Sequence, residues 1–303
     1  MSSLALKGPY WVTVRQHRRA WWAVAATVGL SLVCVAGLRL WDSRTSGTNQ
    51  DDGYMLLRVG MDLFSMGMIG LPLLPAVFVA GPMVARELES GTYKLALTQS
   101  VTPSRWFASK LLVAGAVTLG GTLALMAVYR FGWVRVTSHY QFTWSDQGTY
   151  EAIGTVGLAY GLLAVAVGAF VGQLVRRTVV AMAAAGGIMA AVLIVLNAYR
   201  WDFLTVRTIT GPVGPTVRLP DMGLETSSGL ITTTGQRLPG WYCAEPIDEH
   251  GLCRPDENIA VQYIDYHPAS HFWPTQLIET GILLALAALA LFAAFRVLRA
   301  RHP

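Results

Sequence analysis

Six stretches of 18 residues or more run through this chain almost without charge, and they decide what it can fold into. They cover roughly Ala20 to Leu38, Leu63 to Ala85, Leu111 to Tyr129, Ala152 to Val175, Thr178 to Tyr199 and Pro274 to Phe295. Only the last holds a residue charged at neutral pH, Glu279. A helix crosses the hydrocarbon of a bilayer with about 20 consecutive apolar residues, and it satisfies its own backbone hydrogen bonds while doing so. The pattern therefore predicts an all-α, polytopic integral membrane protein with six transmembrane helices. Composition agrees, since 14% of the residues are charged where a soluble domain carries about 25%. A pI near 9.2 would point to nucleic acid in a soluble chain. Here the basic residues flank apolar runs, so they answer to a membrane surface and no nucleic-acid partner is expected.

Lys and Arg also set the orientation. With the N-terminus taken as cytoplasmic, the inner segments 1–19, 86–110, 176–177 and 296–303 hold 13 of the 23 basic residues within 54 positions. The outer segments 39–62, 130–151 and 200–273 hold the other 10 within 120 positions. Such a bias places both termini on the cytoplasmic side of the cell membrane. Residues 200–273 then form a long polar outer loop, rich in Gly, Pro and Thr. Cys243 and Cys253 face an oxidising compartment in that arrangement and can close a disulfide, with two free thiols as the alternative. Cys34 lies within an apolar run and reads as a packing residue. Trp41, Trp133, Trp201 and Trp273 lie beside outer span ends, where interfacial aromatics belong.

Two inner segments carry more than topology requires. Pro9 to Trp22 sets aromatic residues before Arg15, Arg18 and Arg19, which fits an interfacial helix at the N-terminus or a basic flank that only orients the first span. The second segment, 84–106, joins the second and third spans and is longer than a connector needs to be. Leu88, Tyr93, Leu95 and Leu97 give it apolar surface, Arg86, Glu87, Glu89 and Lys94 give it charge, and Gly91 breaks its helical run. Exposed apolar and acidic residues on a short helix outside the bilayer read as a partner surface.

The run Arg86-Glu-Leu-Glu-Ser-Gly-Thr92, followed by Thr98-Gln-Ser-Val-Thr-Pro-Ser-Arg-Trp106 and Lys110, resembles the coupling segment of ABC type-2 exporter permeases, in particular the actinobacterial branch. The stretch Tyr266-His-Pro-Ala-Ser-His-Phe-Trp-Pro-Thr-Gln-Leu-Ile-Glu279 is similar to that branch's entry into its sixth span. The resemblance implies a cytoplasmic N-terminus (1–19) followed by a six-span permease domain (20–303) with a coupling helix. It also implies a homodimer of permeases working with a separate ABC ATPase, exporting an apolar or amphipathic substrate such as a drug, lipid or natural product. Arg86, Glu87, Glu89, Gly91 and Thr92 are the implied coupling residues. ATP and Mg would then belong to the partner, and no cofactor to this chain. The sequence has no Gly-x-x-x-x-Gly-Lys-Ser/Thr loop to cradle phosphate, so the chain is not expected to be an enzyme.

Within the fourth span, Gly157, Gly161, Ala164, Gly168 and Gly172 share one helical face, suited to close packing inside the chain or against a second copy. Pro72 and Pro75 predict a kink in the second span. Glu279, about one turn into the last span, reads as a wet or hydrogen-bonded group near the outer surface or as a cargo contact. Asp265, His267 and His271 form no legible metal set, and no His-Glu-x-x-His or Gly-x-Ser-x-Gly motif occurs. Two other classes compete with an exporter permease. One is a membrane sensor or assembly protein whose outer loop binds a ligand, which requires a folded outer domain. The other is an intramembrane enzyme, which requires a catalytic pair that the sequence does not offer.

Overall fold

A computed structural model describes residues 15, 18–45, 52–93, 102–138, 141–213, 217–239 and 258–301. Cys243, Cys253, most of the expected interfacial helix and residues 94–101 of the coupling segment lie outside these described residues. The apolar runs are helices. α1 (Arg18–Thr45) is followed by α2 (Asp52–Gly70), which turns at residues 71–74 into a π-helical stretch, Pro75–Ala80, and then α3 (Gly81–Ser90). α4 (Pro103–Val136), the short α5 (Thr149–Ile153), α6 (Val156–Val175), α7 (Thr178–Tyr199) and α8 (Phe272–Arg301) complete the set. Among the described residues, five helices are long and apolar enough to cross a membrane. The α2–α3 pair meets the same test together, with a 48° bend at the break. The bend falls at Leu71 to Leu74, where Pro72 and Pro75 each withhold a backbone donor.

Burial orders the bundle. In α6, 72% of a span-length window is buried, against 6% in α1, so α6 is the axis and α1 a helix on the rim. The main core gathers Tyr160, Leu163, Ala164 and Val167 of α6 with Ala181, Ala185 and Met189 of α7 and Leu283 and Ala287 of α8. A second core joins Leu57 and Met61 of α2 to Leu125 and Tyr129 of α4. The small face of α6 allows the close approach. A side chain at Gly161 would press on Thr118 of α4, and one at Gly172 would stand 2.9 Å from the Gly81 carbonyl of α3. Gly157 faces the Glu151 carbonyl, and Gly168 is buried in the same helix.

The chain is mostly helical rather than all-helical. Residues read as a polar loop carry a four-stranded antiparallel sheet of order β1-β4-β2-β3, made of β1 (Arg207–Gly211), β2 (Leu224–Thr232), β3 (Arg237–Pro239) and β4 (Ile259–His267). The strands are rich in Thr, Ile, Val and Tyr, which suit a pleated surface, but their partners are far apart in sequence, as in the pairing of Arg207 with Tyr266. Asp265 ties the sheet together by accepting from Thr208 of β1 and from Arg237 of β3 at 2.7 Å. The sheet meets the bundle at an aromatic seam in which Trp144 and Tyr150 each pack edge-on against Trp201 and Phe272. Trp144 also donates to the Met222 carbonyl at 2.6 Å.

Candidate functional site

At the end of the bundle away from the sheet, α3 closes on its neighbours through two carboxylates. Glu87 takes a 2.6 Å bond from Lys110 of α4, a residue that is 2% exposed and whose ammonium also lies 5.3 Å from the Trp106 ring. Glu89 reaches the start of α7, accepting from the Thr178 amide at 2.9 Å and from its hydroxyl at 2.6 Å. A carboxylate in that position satisfies an amide that the helix leaves open and complements the helix dipole. Beyond Ser90 the chain turns through Gly91, whose φ of 72° suits glycine, and Thr92 is exposed with its hydroxyl 2.9 Å from that of Ser90. Arg86 is exposed. Leu88 and Tyr93, expected as free partner surface, instead pack against a small core of Val84, Trp106, Phe107, Ala294 and Leu298. The backbone folds back onto its own helices here, and among the described residues from 86 to 93 only Arg86, Glu89, Ser90 and Thr92 stay exposed.

At the sheet end, three charged side chains meet in the interior. Arg200 lies just past α7 and is 1% exposed. Its Nη2 donates to Glu151 of α5 at 2.7 Å and to Glu279 of α8 at 3.2 Å, and its guanidinium rests 4.2 Å over the Tyr150 ring. Tyr160 of α6 donates to Glu279 Oε1 at 2.7 Å. The other Glu151 oxygen accepts from the Gly148 amide at 2.7 Å. Gly148 has a φ of 80° and sits so close to the Ser65 carbonyl that a Cβ would collide with it. Burial, followed by the charge of Glu279, pushes the Tyr150 phenol up and keeps it neutral. α8 also repairs the break between α5 and α6. Gln276 accepts from the Val156 amide at 3.0 Å and donates to the Tyr150 carbonyl at 2.8 Å, while Thr280 bonds Thr155 at 2.8 Å. Polar backbone freed within an apolar bundle needs such partners.

The sequence places Arg200 and Glu151 in outer loops and Glu279 near the outer surface, wet or hydrogen-bonded; the fold buries all three together, with Glu279 hydrogen-bonded. One signal was available. Arg200, Glu151 and Glu279 each stand at a span end on the same side of the predicted topology, with opposite charges. Among the described residues, no group of three His, Cys, Asp or Glu side chains is placed to hold a metal ion.

Long apolar helices packed around a central, small-faced helix, with one span broken, make this a multi-pass membrane protein. The chain belongs to the ABC-2 membrane transporter related family, whose sequence model matches residues 45–200, just over half of its length. Comparison with curated proteins and with solved structures gives no match. The matched region runs from the end of α1 to Arg200, so it contains the α3 turn, its Lys110 and Thr178 partners, and Tyr150, Glu151, Tyr160 and Arg200 of the cluster at the sheet end. An ABC-2 type permease is a component of membrane transport rather than a catalyst, and the family in general partners an ABC ATPase.

Proposed function

We propose that the chain is the transmembrane subunit of an ATP-driven exporter. On this reading it spans the membrane six times with both termini cytoplasmic, works as a homodimer, and carries an apolar or amphipathic cargo. The observation that carries the reading is the pair of links from the end of α3: Glu87 to Lys110 of α4 and Glu89 to Thr178 of α7. An ATPase that docks on Arg86, Glu89, Gly91 and Thr92 would push on one short helix, and that push would reach two spans through charge-assisted bonds. The two-residue turn Arg176–Arg177 lies beside the same contact and would add basic surface. Nucleotide and Mg would stay on the ATPase. The α2–α3 bend is the joint about which α3 would tilt, since π-helical and proline-interrupted stretches lack part of the regular backbone ladder.

The test is purification from native membranes together with a double charge reversal. A tagged chain is expected to bring down a subunit with a phosphate-binding loop and ATPase activity. Glu87→Lys with Glu89→Lys is expected to abolish that association and cargo efflux, with membrane insertion retained. Normal association and efflux in the double variant would remove the coupling role, and a chain that never co-purifies with an ATPase would remove the exporter.

One observation favours the sensor reading, namely that the outer segment is folded into a sheet rather than left as turns. The sheet, at 207–267, lies outside the matched 45–200, so the reading drawn from the matched region stands first. A ligand that binds the full chain without an ATPase and is lost on removing residues 207–267 would reverse that order.

A further inference from the structure

The cluster at the sheet end holds one cation and two carboxylates, and its hydrogen bonds show which carboxylate is in surplus. Glu151 is fully used: one oxygen lies 2.7 Å from Arg200 Nη2, and the other takes the Gly148 amide at 2.7 Å. Glu279 holds Arg200 only at the longer 3.2 Å, through the Oε1 that also accepts from Tyr160. Its buried Oε2 has the Tyr150 hydroxyl as its neighbour, and among the described residues neither of these atoms, nor Arg200 Nε, meets a further hydrogen-bond partner. The neutral Tyr150 hydroxyl can donate to Oε2, but a neutral donor does not balance a charge, and a carboxylate without a matching cation in an apolar interior is unfavourable. One proton at Oε2, the oxygen that meets neither Arg200 nor Tyr160, brings the cluster of one guanidinium and two carboxylates to neutrality.

We propose that Glu279 is the seat of a single bound proton, carried on Oε2, and that this proton holds the sheet end of the bundle closed. The groups facing Glu279 are Tyr150 and Glu151 from α5, Tyr160 from α6 and Arg200 after α7; Gln276 lies one turn before it on its own helix. No other cation among these groups can take the place of the proton. When the proton leaves, the cluster carries a net negative charge that Arg200, already committed to Glu151, does not match. α8 is joined at this level to the α5–α6 break through Gln276 and Thr280. Repulsion there loosens α8 from α5 and α6 and admits water to the seam, whether or not an ATPase is engaged at the far end.

The experiment compares the full chain in lipid nanodiscs with Glu279→Gln and Glu151→Gln, since glutamine is the isostere of a neutral carboxyl. Infrared difference spectra at neutral pH are expected to show a protonated-carboxyl band in the wild type that Glu279→Gln lacks. Glu279→Gln is expected to fold with a thermal midpoint near the wild type, and Glu151→Gln to melt clearly lower. Raising the pH until the wild-type band vanishes is expected to increase hydrogen exchange at residues 148–160 and 272–280, beyond the intrinsic pH effect, and to leave Glu279→Gln unchanged. A wild type without a carboxyl band lost in Glu279→Gln means that Glu279 is ionised, and overturns the proposal. So does a Glu279→Gln chain that fails to fold, or the reverse ranking of the two variants, which would put the proton on Glu151.

Discussion

Arg200 shows how one side chain can organise a site while reading as an ordinary flank. In sequence it is the first basic residue after the fifth span, where a loop charge belongs. In the fold it is among the most deeply buried side chains, with carboxylates on two sides and an aromatic face beneath. Hydropathy reports where a residue falls along a span, but says nothing about which other span ends crowd around it, so the meeting of positions 151, 200 and 279 was legible only as opposite charges at span ends on one side. Removing a partner from a buried ion pair strands the remaining charge, at a cost of about 3–5 kcal/mol. Arg200→Met should therefore destabilise the chain by roughly that amount, read as a lower midpoint in thermal or denaturant unfolding in detergent. A midpoint within error of the wild type would mean that water already reaches the site.

At the scale of the element, the helices were the legible part. α7 begins and ends where the apolar run does, at Thr178 and Tyr199, and the two prolines stand at the α2–α3 bend. α1, α4 and α8 overrun their apolar stretches, as α4 does from Pro103 to Val136, because a helix continues into polar surroundings wherever its ends find caps, whereas α6 starts only at Val156, after the break that follows α5. Thr102 supplies one such cap by accepting from the Arg105 amide. The sheet was less legible, because its strands pair across intervals that no local pattern encodes, β1 with β4 for example. The small face of α6 makes a direct prediction. Gly172→Leu places a branched side chain against the Gly81 carbonyl and Val84, and overpacking of this kind costs about 1–3 kcal/mol. The α3–α6 contact should open, lowering the melting midpoint and raising the accessibility of a cysteine probe at Val84. An unchanged midpoint would show that α3 gives way freely at that level.

For the whole molecule, the seam between sheet and bundle has a direction in pH. His267, at the end of β4, stacks 6.0 Å from Trp201, and its Nδ1 lies 3.0 Å from that of His271. Burial, and after it the charge of His271, holds the His267 imidazole below its ordinary 6.5. The folded state thus binds fewer protons than the unfolded one. The seam keeps its full strength above 6.5 and loses it as the pH falls from there through the lower folded value. The thermal midpoint should drop between about pH 7 and about pH 5, and His267→Gln should flatten that slope; a wild type as stable at the acid end would sink the prediction. At the opposite end, the Glu89 bond to Thr178 constrains how α7 can travel. A helix whose leading amide is closed by another helix's carboxylate cannot slide along its own axis by even one residue, about 1.5 Å, without stretching that 2.9 Å contact. Pivoting about the contact leaves it intact. The α3–α7 joint is therefore built like a ball hinge, and on the proposed reading a stroke delivered to α3 would emerge from α7 as a change of tilt.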